Sequence, residues 1–298
     1  MRKILLAENA GFCFGVKRAM AIAEKIAKKG KLSYTYGPLI HNPQAVSYLR
    51  SIGIHPINNL DEVNPGRLIV RSHGIPPQII DEARNKGFEI IDATCPFVRR
   101  TQNFAKTLLK KKYKVIVIGE AEHPEVIGIV GHTNGKATVV EKESDIKKLK
   151  GEKKIGIVTQ TTQSMEYFKF LVSKILEIAS EIKIYNTICG ATQQRQKLTL
   201  ALSEKADIMI IIGGKDSANT THLAQLSKNT GKPTYHIESS DEIDTLWLKG
   251  KKVVGISAGA STPAYVIKEV IEKLKTLSEG TAGPVGPRLL HKEEVFNG

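Results

Sequence analysis

Short apolar runs of four or five residues, set off by glycine, proline or charge, alternate along this chain with longer stretches of helical periodicity. That is the pattern of strands buried on both faces alternating with amphipathic helices, as in parallel α/β sheets. A strand is predicted over 3–7 and a helix from about Val16 to Gly30, with Lys28 and Lys29 in its last turn. Strands follow at 33–36, near His55 and at 67–70; a helix then runs to Gly87 and a strand covers 88–91. The same order returns, with a helix to Lys112 and strands at 115–118, 138–140, 155–158 and 182–185. A third round has strands at 208–212 and 253–254 and a helix near 266–277, but no strand after that helix. The unmatched strand over 3–7 is predicted to fill that place.

The repeat is marked by chemistry. The only three cysteines, Cys13, Cys95 and Cys189, lie at intervals of 82 and 94 residues, each between a strand-like run and a helix-like one. A helix N-terminus favours an anion there, and basic residues further along each helix act in the same direction. An odd count argues against a complete disulfide framework. Polar loops recur as well, the first at His41, His123 and Asn219 and the second at His73, Thr161 and Ser261. In parallel sheets such loops leave the carboxyl ends of strands, where ligands bind. The expected fold is therefore α/β: three similar small parallel-sheet units arranged about a pseudo-threefold axis, aiming the cysteines and loops at a central cavity. The units span 13–94, 95–188 and 189–277, the last completed by 1–12, and 278–298 is a tail. Three thiolates at one point suit an iron-sulfur cluster with one iron free of protein ligands, or a zinc ion with an open position.

Composition narrows the partners. Forty-four Lys and Arg against 30 Asp and Glu give +14, which suits nucleic acid, an anionic substrate or an acidic protein. The excess sits in lysine-rich helix ends with little aromatic interleaving, which reads as a solvated face rather than an RNA platform. No apolar run approaches membrane-spanning length, and Glu8 comes too early for a signal peptide, so the expected location is cytoplasmic, with no membrane and no nucleic-acid partner. No GxGxxG or Walker A pattern occurs, which argues against a Rossmann dinucleotide site or a P-loop. The loops would line a cavity with His41, His73, His123, Glu125, Thr161, Thr162, Ser217, Asn219 and Ser261. Imidazoles, hydroxyls, an amide and helix N-termini together make a pocket for an anion such as phosphate. His55, His132, His222, His236 and His291 fall outside the matched positions and read as structural.

Ala10-Gly11-Phe12-Cys13-Phe14-Gly15-Val16, His41-Asn42-Pro43, Arg71-Ser72-His73-Gly74, Asp92-Ala93-Thr94-Cys95-Pro96, His123-Pro124-Glu125 and Ala258-Gly259-Ala260-Ser261 resemble the motifs of the 4-hydroxy-3-methylbut-2-enyl diphosphate reductase family, over about residues 3 to 277. The resemblance implies a 4Fe-4S enzyme, its three units forming a pseudo-threefold trefoil around a central cluster site, that catalyses the last step of the non-mevalonate isoprenoid pathway. It would remove a hydroxyl reductively to give isopentenyl and dimethylallyl diphosphates. It further implies that Cys13, Cys95 and Cys189 hold the cluster, that His41, His73, His123, Ser217, Ala218, Asn219 and Ser261 bind the diphosphate, that Glu125 supplies protons and that Thr161 orders the substrate or its water beside Glu125. Where the family commonly reads Ser-Ser-Asn, this chain has Ser217-Ala218-Asn219. A hydroxyl is lost there but the backbone N–H is kept, so binding is expected to survive. Ferredoxin or flavodoxin is implied as electron donor. The rival readings are a quinolinate-synthase-like iron-sulfur dehydratase, which performs no net reduction, and a basic RNA-binding protein with a structural metal.

Overall fold

Where every position of a strand is apolar, as in 208–212, alternate side chains face opposite sides of the sheet and both sides must be covered. A computed structural model, describing residues 2–279 and 288–290, has this layered arrangement three times. In chain order its elements are β1 (Lys3–Ala7), α1 (Phe14–Ala27), β2 (Ser33–Tyr36), α2 (Pro43–Ser51), β3 (Ile54–Ile57), β4 (Arg67–Val70), α3 (Pro77–Asn85), β5 (Glu89–Asp92), α4 (Pro96–Lys110), β6 (Lys114–Ile118), α5 (Pro124–Gly131), β7 (Thr138–Val140), β8 (Lys154–Thr159), α6 (Met165–Leu176), β9 (Glu181–Ile184), α7 (Gly190–Lys205), β10 (Ile208–Ile212), α8 (Ala218–Asn229), β11 (Thr234–Ile237), β12 (Val253–Ala258), α9 (Ala264–Glu279) and β13 (Arg288–Leu290).

The strands pair in parallel in three sheets, ordered β3-β2-β4-β5, β7-β6-β8-β9 and β11-β10-β12-β1-β13. The α/β class and the three parallel sheets agree with the reading of the sequence. The fourth strand of each order is the one that leads into a cysteine: β5 into Cys95, β9 into Cys189 and β1 into Cys13. β1 pairs with β12 from Lys3 against Val253 to Leu6 against Ile256. β13 lies within the stretch read as a tail; it pairs with the other edge of β1, whose backbone groups would otherwise be open. Glu293–Phe296 lies outside the described residues.

The chain divides into two compact units. One holds Met1–Cys13, His41–Ala45 and the chain from Gly190 onward; the other holds Phe14–Ile40 and Val46–Cys189. In the first, Ile208, Ile210 and Ile212 pack with Ile256 and with Val266 and Val270 of α9 on one face of the sheet. Met209 and Ile211 meet Leu202 of α7 and Leu223 of α8 on the other. In the second unit, β6 divides its side chains in the same way. Ile116 and Ile118 face Phe168, Leu171 and Ile175 of α6. Val115 and Val117 face Ala105 and Leu108 of α4 and Val126 and Ile129 of α5. Each fully buried Leu or Ile removes apolar surface worth about 1.5–3 kcal/mol from water, which makes these two-sided layers the main source of stability.

Acidic residues after the second strand of two of the repeats have a structural role. Asp145 accepts from the backbone N–H groups of Glu141 and Lys142, and Glu242 from those of Glu238 and Ser239. Each carboxylate thereby stops the strand before it and starts a short 3-10 turn. Three hydrogen bonds repeat after the second strand of each order, β2, β6 and β10: Gly37 N–H to Ile57, Gly119 N–H to Val140 and Gly213 N–H to Ile237. They open the polar loops at the same place in each repeat. Among the described residues no helix is long and apolar enough to cross a membrane.

Candidate functional site

Each cysteine is the residue immediately before a helix: Cys13 before α1, Cys95 before α4 and Cys189 before α7. All three are half-buried thiols, not half-cystines. Each is also anchored by the same bond, its backbone N–H donating to a carbonyl in the loop after a neighbouring strand. Cys95 donates to Ser72 at 2.9 Å, Cys189 to Thr161 at 3.0 Å and Cys13 to Ala260 at 3.0 Å. The periodicity that placed the cysteines thus reappears as a repeated tether between each cysteine and the second polar loop.

In the unit containing α5, His123 caps the helix. Its Nδ1 accepts from the backbone N–H of Glu125 at 3.1 Å, and Pro124 occupies the first helical position, where no N–H is needed. A neutral His123 ring therefore carries its proton on Nε2. The rings of His73 and His123 meet edge to face, with centroids 5.4 Å apart. Glu125 is 1% exposed. One carboxylate oxygen accepts from the backbone N–H of Thr161 at 2.7 Å and the other from the Thr161 hydroxyl at 2.8 Å. Burial pushes the Glu125 carboxyl up to about 7; the two Thr161 bonds pull it down less strongly, and the charge of Glu120 adds a rise. A carboxyl so placed holds a proton near neutral pH and can give it up there.

His41, Ser217, Ala218, Asn219 and Ser261 belong to the other unit. The Ser261 hydroxyl donates to the His41 carbonyl at 2.9 Å, and Gln44 donates to Glu238, which binds the 41–45 segment to this unit. Gly214 admits that segment: a Cβ on it would lie 2.8 Å from the His41 carbonyl oxygen. Ser217 is the N-cap residue of α8 and its side chain makes no capping bond to the helix. Ala218 and Asn219, read from the sequence as loop, form the first turn of α8, because the helix starts as soon as the loop closes through the Ser217 N–H to Gly214. The Nδ2 of Asn219, a residue 5% exposed, is buried with no hydrogen-bond partner. An unmet donor there, in the first turn of a 12-residue helix, is suited to an anion.

Two arginines differ from expectation. Arg18 follows Cys13 in sequence, but its Nη1 donates to the carbonyl of Thr94, beside Cys95. Arg195 follows Cys189 yet is buried and donates to the carbonyls of Asn9, Gly11 at 2.9 Å and Ala258 at 2.7 Å, fixing the loop that carries Cys13. A guanidinium fork with five donors suits carbonyl clusters, and this use outweighs proximity along the helix. Gln160 was missed in the sequence. It is fully buried, its Oε1 accepting from the Glu120 N–H at 3.0 Å and its Nε2 donating to the Thr162 hydroxyl at 2.9 Å. A glutamine one residue beyond the apolar run 155–158 is the signal that could have found it.

The sequence matches the family model of LytB protein over residues 4–275. It is 46% identical over 285 residues to the 4-hydroxy-3-methylbut-2-enyl diphosphate reductase of Aquifex aeolicus, covering 94% of this chain and 98% of that protein. To the protein of the same name from Geobacter sulfurreducens it is 43% identical, covering 94% and 100%. A solved structure of (E)-4-hydroxy-3-methyl-but-2-enyl diphosphate reductase, described as the terminal enzyme of the non-mevalonate pathway, has a TM-score of 0.69 at 45% identity, covering 93% of this chain and 100% of that one. The E-1-hydroxy-2-methyl-but-2-enyl-4-diphosphate reductase of Plasmodium falciparum has a TM-score of 0.87 at 29% identity, covering 94% and 89%.

Proposed function

The chain belongs to the LytB protein family, and on that premise we propose that it is a reductase converting (E)-4-hydroxy-3-methylbut-2-enyl diphosphate to isopentenyl and dimethylallyl diphosphates, the last step of the non-mevalonate isoprenoid pathway. The balance of the reaction is an allylic alcohol plus two electrons and two protons giving water and an alkene in which a C–H bond replaces the broken C–O bond, the double bond being kept in place or shifted. We assign Cys13, Cys95 and Cys189 as the protein ligands of a 4Fe-4S cluster. The donor set fits: three thiol side chains at helix starts, soft ligands matched to iron, one fewer than the irons they would hold. When bound, the cluster supplies one-electron reduction and Lewis acidity.

The protein's own part is to hold the anion and deliver protons. His41, Ser217, Asn219 and Ser261 are assigned to the diphosphate, with the Ala218 backbone N–H standing in where a serine hydroxyl is absent; by the same motifs His73 and His123 also bind substrate. Glu125 is assigned as the proton donor. When it is protonated, Oε1 must still accept from the Thr161 N–H, so the proton sits on Oε2 and is directed at the Thr161 hydroxyl, whose own proton then turns outward. Glu125 and Thr161 thus form a two-group relay towards a departing oxygen.

The observation that carries this reading is the position of Thr161. Its carbonyl accepts from the N–H of Cys189, while its N–H and hydroxyl clasp Glu125. One residue joins the assigned metal ligand to the assigned proton donor. Anaerobically purified protein is expected to be brown, with iron and acid-labile sulfide in equal amounts; colourless, zinc-loaded protein would contradict the assignment.

A further inference from the structure

Resting on the reductase reading, which needs two electrons from outside a chain without a nucleotide-redox motif, we propose that the basic cleft beside Cys95 is the docking surface for an acidic one-electron carrier protein. The cleft, of about 490 Å³, is lined by Arg18, Thr94, Pro96, Arg99, Arg100 and Phe104. Thr94 and Pro96 are the residues on either side of Cys95, so whatever seats in the cleft comes within one residue of that thiol.

Its charge is largely uncompensated. Arg99 pairs with Asp92 at 2.5 Å, but Arg18 and Arg100 enter no ion pair among the described residues. From Arg100 a band of alternating cations and rings continues across the unit. The Arg100 guanidinium lies 5.2 Å over the Phe104 ring, Phe104 stacks on Tyr185 with centroids 4.0 Å apart, and the Lys183 ammonium lies 5.5 Å over Tyr185. Tyr185 is four residues before Cys189, so the band runs from the helix that follows one assigned cluster ligand to the strand that precedes another. Phe97, next to Pro96, and Phe14, one turn before Arg18 on α1, are exposed by 42% and 62%. Arginine and aromatic side chains are the types enriched in protein interfaces, and a positive face steers an acidic partner. An RNA strand would also find cations and rings here, but nothing in its chemistry calls for a seat at a thiol.

In each turnover two carriers give up one electron apiece and are oxidised, and those electrons with two protons break the C–O bond of the allylic alcohol, form a C–H bond on the allyl skeleton and release water. The test uses the anaerobic, cluster-loaded protein and a reduced plant-type 2Fe-2S ferredoxin as probe, with binding followed calorimetrically and turnover driven either by ferredoxin or by dithionite. In the double variant Arg100→Glu, Lys183→Glu, ferredoxin affinity is expected to fall roughly tenfold or more at low salt, with the gap narrowing as salt rises. Dithionite-driven turnover and the cluster spectrum should stay within about twofold of the parent. A control variant, Lys28→Glu, Lys29→Glu, makes the same change in net charge at the far end of α1 and should bind ferredoxin as the parent does. Unchanged affinity in the first variant, an equal loss in the control, no ferredoxin binding by the parent, or displacement of ferredoxin by a single-stranded RNA oligonucleotide at equal affinity would each overturn the proposal. Failure of dithionite-driven turnover in the parent would instead overturn the reductase reading, and the binding measurement would still decide the docking surface.

Discussion

Replacing Glu125 by glutamine tests the state of the buried carboxyl directly. The amide keeps the size of the side chain and can still accept from the Thr161 N–H, but it has no proton to titrate. In the parent, burial moves the titration from about 4.5 to about 7. The native state therefore holds this proton more tightly than the unfolded chain, and between those two pH values it binds more protons. Stability must fall as pH rises through that window, being fully present below about 4.5 and lost above about 7. At about 1.4 kcal/mol per pH unit the change amounts to about 3 kcal/mol. Urea unfolding of anaerobic, cluster-loaded protein at a series of pH values from about 5 to 8 measures it, and the difference between parent and Glu125→Gln cancels the other titrating groups. We expect the variant to gain about 2–3 kcal/mol relative to the parent over this range. Turnover should drop at least roughly a hundredfold, the scale of a lost general acid. Parallel stability curves would mean that the carboxyl is ionised throughout, and turnover within a few-fold of the parent would end its candidacy as proton donor.

Changing Cys13, Cys95 or Cys189 to serine should abolish turnover and lower the iron content, since an alcohol oxygen replaces a thiolate poorly on iron; full iron and activity in any one would exclude that residue. Asn219→Ala should weaken binding of isopentenyl diphosphate by about 1–3 kcal/mol in calorimetry, with the cluster spectrum unchanged, and equal affinity would move the anion elsewhere. Gly259→Ala would drive a Cβ into the Thr220 hydroxyl, so thermal unfolding should show a loss of about 1–3 kcal/mol; adding Thr220→Ala should recover much of it, and no recovery would refute the clash.

The strands that carry the site are readable because they are apolar throughout, as in β10, or at every position after the first, as in β6, and the cysteine junctions are readable because both neighbours are clear. β11 was not, because an edge strand is only partly covered and Thr234-Tyr235-His236-Ile237 has no apolar run. The start of α8 reads as loop in the sequence because its buried face includes Asn219, Thr220 and Ser227, which carry no hydrophobic period. In the site, residue types at matched loops name Glu125 and Thr161 as candidates, but the bond between them, 36 residues apart, depends on strand order. The destinations of Arg18 and Arg195 were hidden for the same reason: each bonds a carbonyl far away in sequence, 76 residues for Arg18 to Thr94 and 184 for Arg195 to Gly11.

The central claim is that three cysteines and one buried carboxyl serve a reductive dehydroxylation. Its most direct measurement is the product analysis of anaerobic, dithionite-reduced protein supplied with (E)-4-hydroxy-3-methylbut-2-enyl diphosphate, resolved by mass spectrometry. The account predicts isopentenyl and dimethylallyl diphosphates together, formed at the expense of two equivalents of reductant per molecule. Unchanged substrate, or a dehydrated product formed without consumption of reductant, would contradict it.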